Sequence, residues 1–285
     1  MQEPAANTYD LSAVIAYIED HLCDDKPGVL DNAALAGTAG YSPYHFLRIF
    51  RRVTGMTPAH YIRRRRLTEI VKHMAHGIPL SETAFRYGFN SGENFTRAFR
   101  AEHGILPTEF RAAQCSLRLW EPFSRETEQP RPVVSLWHRN PFSVTAYPCD
   151  EDFPPRFWNR YNASGMSRTL SGGETVPDWG VMRYEAEKGR LAYYIGIRSE
   201  CARGDTRGTV SVTMDGGLYA IFDTPPATPH DFVATIHRTW DYIADVWLPE
   251  NGFARTGGYE AETYIEQSRT YSERIYIPVK TLLKS

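Results

Sequence analysis

The chain has 285 residues, 42% apolar and 23% charged, with a formal net charge of −2; this is an ordinary globular composition, long enough for two domains. Its four cysteines (Cys23, Cys115, Cys149, Cys201) show no CxxC spacing, which argues against a zinc site or disulfide framework and fits a reducing, cytoplasmic setting. No run of about 18 apolar residues marks a membrane span, and the opening MQEPAANTYD lacks a basic stretch followed by an apolar one, so neither a membrane partner nor a signal peptide is expected.

The charge is uneven along the chain. Pro43–His76 holds eight Lys or Arg against one acid, Glu69, while residues 1–42 hold seven acids and one Lys. Such a patch attracts phosphate even on a near-neutral chain. It lies within a repeat. LAGTAGYSPYHFLRIFRRVTGMTPAHYIR, from Leu35, matches AFRYGFNSGENFTRAFRAEHGILPTEFR, from Ala84. Ala36, Gly40 and Tyr41 match Ala84, Gly88 and Phe89 at 48 residues; Phe46, Arg48, Phe50, Arg51, Gly55, Pro58 and Tyr61 match Phe95, Arg97, Phe99, Arg100, Gly104, Pro107 and Phe110 at 49. Two copies of one supersecondary unit are expected.

Each copy reads as helix, turn, helix. Leu30–Ala39 favours helix and Gly40 ends it; Ser42 is an N-cap with Pro43 in the first turn. The next helix runs to about Thr54, with Phe46, Ile49, Phe50 and Val53 at core spacing, and Gly55 stops it. The second copy repeats this with Gly88, a cap at Asn90 or Ser91, Phe95, Ala98 and Phe99 inward, and Gly104. A helix-turn-helix sets its second helix in the DNA major groove. The recognition helices are expected at about 43–54 and 92–102. Outward side chains are Tyr44, His45, Leu47, Arg48, Arg51 and Arg52 in the first, and Gly92, Glu93, Asn94, Thr96, Arg97 and Arg100 in the second. Arg suits guanine, Asn adenine, and Glu the cytosine amine.

Between the copies lies YIRRRRLTEI, in a helix that Tyr61, Ile62, Ile70 and Met74 anchor. Successive helical residues fan out by about 100°, so Arg63–Arg66 cannot all face DNA. One or two are expected at phosphate, the rest pairing acids such as Glu69 or lying in solvent.

From Asp10 to Arg111 these residues resemble the AraC/XylS family of bacterial transcription regulators, above all in Gly88-Phe89, Phe95, Arg97, Phe99, Gly104, Pro107, Phe110 and Arg111. The resemblance implies two helix-turn-helix units joined by a long helix, with one chain reading successive major grooves as a monomer. By position, Tyr44, Leu47 and Arg48 would read bases in the first helix, and Glu93, Asn94 and Arg97 in the second. Thr83 stands where the family has a large aliphatic residue, which loosens the second unit; Gly92 stands where a side chain often reaches DNA.

Residues 113–130 read as a linker. Beyond it, strands are expected at Pro132–His138, Phe142–Tyr147, Val181–Glu187, Leu191–Arg198, Thr209–Thr213, Leu218–Phe222, Gly258–Glu266 and Arg274–Val279. Helices are expected at Phe153–Ala163 and at Asp231–Val246, the latter with Phe232, Ile236, Trp240, Ile243 and Val246 on one side. Two strands, a helix and two strands, given twice, imply an α+β domain of two pseudo-repeated halves behind an all-α one. The expected domains are 8–112 and 131–282.

The second half, Pro132–Lys280, resembles the GyrI-like effector-binding domain found behind AraC-type regions in right-origin-binding regulators. GLYAIFDTP, TWDYIADVWLPENGF, YEAETYIE and RIYIPVK carry the likeness. It implies an apolar or cationic small molecule in a cleft between the halves, with Glu262 and Tyr264 at the family's Glu-x-Tyr. Glu260, Glu262, Tyr264 and Glu266 share one face of a strand, either a wet sheet face or a cation site with aromatic walls. Candidate walls are Trp137, Trp179, Tyr184, Tyr194, Tyr147, Phe157 and Trp158; Trp240 and Trp247 are assigned to core.

The expected function is an activator-type regulator, with double-stranded promoter DNA, a small-molecule effector and RNA polymerase as partners. No GxxxxGKS, HExxH or Ser-His-Asp pattern occurs, so no cofactor, metal or enzyme activity is expected. The alternatives are a DNA-tethered hydrolase of electrophiles using Glu262 and Tyr264, or a second domain that only binds a partner.

Overall fold

The computed structural model of the chain describes residues 10–24, 26–113, 115–123, 130–149, 154–265 and 271–282. Glu266, Phe153 and residues 114 and 124–129 of the expected linker lie outside the described residues. The chain divides into two compact units, residues 1–113 with 117–130, and 114–116 with 131–285.

The first unit is helical: α1 (Ser12–Asp20), α2 (Asn32–Thr38), α3 (Pro43–Thr54), α4 (Pro58–Ala75), α5 (Leu80–Arg86) and α6 (Gly92–His103), then a short strand β1 (Leu117–Arg118). Local chemistry sets the ends. Ser42 accepts from the His45 amide and Ser91 from the Asn94 amide, satisfying a first-turn donor of α3 and α6. Gly55 and Gly104 follow those helices in the left-handed region, at φ 77° each. The cap of the second copy is thus Ser91, not Asn90. Phe46, Ile49 and Phe50 of α3 and Phe95 and Phe99 of α6 are buried, while Val53 and Ala98 are half-buried. Truncating one such Phe to Ala removes about 3–5 kcal/mol. Thr83 is buried and its hydroxyl donates to the Pro79 carbonyl at 2.9 Å, so the polar group is satisfied.

The long helix α4 is the frame of this unit. Trp120, from the stretch expected as linker, packs on it: its amide donates to Thr68 Oγ1 at 2.8 Å and its indole to Glu102 Oε1 at 2.8 Å.

The second unit holds β2 (Val133–Arg139), β3 (Phe142–Pro148), α7 (Pro154–Ala163), α8 (Met166–Ser171), β4 (Asp178–Glu185), β5 (Arg190–Arg198), β6 (Val210–Met214), β7 (Gly217–Asp223), α9 (Phe232–Asp241), α10 (Leu248–Glu250), β8 (Phe253–Arg255), β9 (Glu260–Tyr264) and β10 (Arg274–Thr281). A π-helical turn, Tyr242–Trp247, joins α9 to α10. Within this unit the strand order is β2-β7-β10-β9-β4-β5-β3-β6, with β8 on β10, every pair antiparallel. The order is symmetric about the β9–β4 seam. β4, β5 and β3 mirror β9, β10 and β7, and the first strand of each half, β2 or β6, pairs with the other half.

Strand alternation sorts the side chains onto two faces. Phe157, Tyr161 and Leu170 of α7 and α8 pack on Tyr193, Ile195 and Ile197. The opposite face carries Trp179, Val181, Ala261, Tyr276, Tyr219 and Ile221, packed with Val144, Val212 and Met214 from the far end of the strand order. The sheet is therefore curled, and this second face is its inside.

Candidate nucleic-acid interface and effector site

The α3 face presents Tyr44, 81% exposed, with Arg48, Arg51 and Arg52 exposed and His45 and Leu47 half-buried. The α6 face presents Glu93, Asn94, Arg97 and Arg100 exposed and Thr96 half-buried. Gly92, Glu93, Thr96, Arg97, Arg100 and Leu106 line a groove along α6. Arg97 Nη2 donates to Asn94 Oδ1 at 2.7 Å. That bond orients both side chains and leaves the Asn94 amide nitrogen and the second lone pair of its oxygen open.

The arginine run resolves one residue at a time. Arg65, 3% exposed, donates to both Glu19 oxygens, to Glu69 Oε1 at 2.9 Å and to the Trp120 carbonyl. Arg64 pairs with Glu102 at 2.8 Å and lies 3.7 Å over the Trp120 ring. Arg66 donates to the Leu22 and Asp24 carbonyls at 2.9 Å each. Its guanidinium lies 2.8 Å from where a side chain on Gly88 would begin, so the glycine of the second turn gives it room. Arg63 alone of the four is exposed.

In the second unit the register puts Glu262 opposite Gly180 and Ile275, Tyr264 opposite Asp178, and Glu260 opposite Met182, all on the helix-bearing face. Glu262 accepts a short hydrogen bond from the Tyr193 hydroxyl, which in turn accepts from Trp158 Nε1 at 2.7 Å. Burial pushes the Glu262 carboxyl up, against the opposing pull of hydrogen bonds from Tyr193, Trp158 and Trp240 and the nearby His237. Burial, then Glu262 itself, pushes Glu273 up to about 9. Asp178 is buried and bonded to the Tyr161 hydroxyl at 2.8 Å, and Glu260 pairs with Arg255 at 3.3 Å.

Of the expected walls, Trp158 reaches Glu262 through Tyr193, and Phe157 and Tyr147 sit in the adjoining core, Tyr147 edge-on to Tyr161 at 6.4 Å. Tyr264 packs against Phe232 at 5.8 Å. Five assignments need correction. Trp137 and Tyr194 pack with Tyr219 and Val181 on the inside of the curl. Trp179 pairs with Thr263, one residue out of step with Glu262, and so lies on the inside of the curl, stacked on Tyr276 at 5.0 Å. Tyr184 is 64% exposed near the β4–β5 turn. Trp240 is half-buried and close enough to Glu262 to pull its carboxyl down, instead of filling core. Tyr193 and Glu273 were missed: Tyr193 bonds Glu262 from β5, Glu273, just before β10, feels its charge, and no spacing in the sequence records either.

Two family models match, "Helix-turn-helix domain" over residues 35–113 and "Integron-associated effector binding protein" over 148–279. The right origin-binding protein of Escherichia coli (strain K12) is 38% identical over 274 residues, 88% of each chain. The chain belongs to the AraC-type regulators of the right origin-binding family. The transcriptional regulator Rob of Salmonella typhimurium is 28% identical over 280 residues, 90% of each chain. A solved structure of SAV2435 bound to tetraphenylphosphonium overlaps 52% of this chain and 93% of its own, at 16% identity and a TM-score of 0.41. This regulator is thus a DNA-binding transcription factor with a helix-turn-helix unit and a C-terminal effector-binding domain. Among the described residues no helix is long and apolar enough to cross a membrane, and no group of three His, Cys, Asp or Glu is set to hold a metal ion.

Proposed function

We propose that this regulator reads promoter DNA as a single chain in the cytoplasm, contacts RNA polymerase there as an activator, and responds to an apolar cation held at Glu262. The carrying observation is the pair of matched helices, α3 and α6, each capped by a serine, ended by a left-handed glycine and showing an arginine-rich outer face. Tyr44, Leu47, Arg48, Glu93, Asn94 and Arg97 read base edges; His45, Arg51, Arg52, Thr96 and Arg100 hold phosphate. On the other unit, Glu262 is a carboxylate that accepts from the Tyr193 hydroxyl, itself held by the Trp158 indole, among aromatic neighbours, the chemistry of a cation site. Neither effector nor acid–base chemistry is assigned to Tyr264, whose ring packs on Phe232.

The test is promoter binding at fixed salt. Arg48→Ala and Arg97→Ala should each cost about 1–3 kcal/mol of discrimination between specific and random DNA. Unchanged discrimination in both variants would reject the reading helices. For the effector site, Glu262→Gln should weaken tetraphenylphosphonium binding in calorimetry while leaving DNA affinity in its absence unaltered.

A further inference from the structure

The inside of the curled sheet holds an unusual group. Arg139, on β2, is 8% exposed. Its guanidinium lies 4.3 Å from the Trp137 ring, 4.2 Å from Phe142, 5.2 Å from Tyr276 and 5.6 Å from Trp179. Arg139 Nη1 and Trp137 Nε1 are both buried with no hydrogen-bond partner among the described residues. Arg198, which lies 4.8 Å over the same Phe142 ring, has a buried Nε in the same condition. A buried donor left without an acceptor costs roughly 1–3 kcal/mol, more when it is charged. Three such donors around one ring are a demand for acceptors.

Two of the rings around Arg139, Trp179 and Tyr276, also wall a cavity of about 330 Å³, which Thr263, Arg274, Asp223 and Glu273 complete. That volume is near the lower end for small-molecule sites. Arg274 there is paired with Asp223. An aromatic cage ordinarily selects a cation. This one already holds its cation, and two further arginines repel a second. The unmet groups of the Arg139 cluster are all N–H donors, so the missing component there is an oxyanion; Glu273, whose Oε2 is also unmet, holds its proton in this setting and does not repel one, and the stacked Trp179 and Tyr276 rings offer a flat apolar surface beside it.

We propose that the inside of the sheet is a second ligand site, separate from Glu262, for a small flat aromatic carboxylate whose oxygens accept from Arg139 and Trp137. Glu262 and its donors lie on the opposite face, so the two sites take ligands of opposite charge.

The experiment uses the full chain and five probes: 2-naphthoate, benzoate, indole-3-carboxylate, the neutral 2-naphthylmethanol, and tetraphenylphosphonium. Calorimetry and tryptophan fluorescence should show saturable naphthoate binding, with the alcohol weaker by at least about tenfold, the loss expected when a charged hydrogen bond is removed. Arg139→Gln should weaken naphthoate by a similar factor and Trp137→Phe by several-fold, while Glu262→Gln leaves naphthoate unchanged and weakens only the phosphonium. Should Arg139→Gln fail to unfold cooperatively, Trp137→Phe, which deletes a single N–H from a ring of similar shape, decides alone. The proposal is overturned if 2-naphthoate, benzoate and indole-3-carboxylate all fail to bind, which would assign the donors to water. It is also overturned if naphthoate binding ignores both substitutions, or if the phosphonium competes with it. Loss of phosphonium binding by the parent chain would sink the Glu262 reading and leave this one standing.

Discussion

Arg63 and Arg65 are two residues apart and do opposite work. Arg65 is buried against Glu19 and Glu69, with a backbone carbonyl completing its donors. Removing one partner of a buried ion pair leaves the others uncompensated, so Arg65→Ala should cost about 3–5 kcal/mol in chemical denaturation. Arg63 is exposed, so Arg63→Ala should stay within about 0.5 kcal/mol of the parent. If it meets phosphate, the same variant should flatten the salt dependence of DNA affinity by about one counterion. A large stability loss for Arg63→Ala, or an unaltered salt slope, would remove it from the DNA contact. Composition alone marked the run as basic. It could not say which of four identical side chains finds an acid, because Glu19, Glu102 and the Leu22 carbonyl come from distant stretches of chain.

At the scale of elements, what could be read in the sequence was local. The Ser42 and Ser91 caps, Pro43 and the glycines at 40, 55, 88 and 104 act within a turn of their own position, and their chemistry is visible in a short string. Ser91→Ala should lower the stability of the first unit by about 1 kcal/mol. Gly88→Ala should cost more, since φ there is 71° and the new carbon would meet the Arg66 guanidinium; thermal unfolding that ranks the two the other way would mean Arg66 moves aside cheaply. What stayed hidden was phase. The predicted stripe Phe232, Ile236, Trp240, Ile243, Val246 assumes one helical period throughout. The π turn at Tyr242–Trp247 shifts it, so Trp247 is buried and Val246 only half so. The cross-strand register was equally hidden. It places Trp179 and Glu262 on opposite faces and brings Tyr193 and Glu273 to the carboxylate, and a single strand's alternation does not specify its neighbour's offset.

Over the whole molecule, buried carboxyls couple folding to pH. Glu273 is held up to about 9 from an ordinary 4.5, so the folded chain keeps a proton that the unfolded chain releases. Stability is therefore fully present below the unfolded value and declines as pH rises from about 4.5 to about 9. Glu273→Gln cannot ionise, so it should unfold a few degrees above the parent at pH 9, with the difference shrinking towards pH 5. A difference that is constant with pH would show that Glu273 ionises normally in the folded state.

The exchange of β2 and β6 has its own meaning for how this domain came to be and how it holds together. Each half lends its leading strand to the other, so neither repeat is a free-standing piece, although both share one plan. The two are clasped, and a chain of this kind cannot shed one half without also peeling a strand from the other. Glu262 sits on a strand paired on both sides, so the expected way in for a molecule is past the helices that cover it.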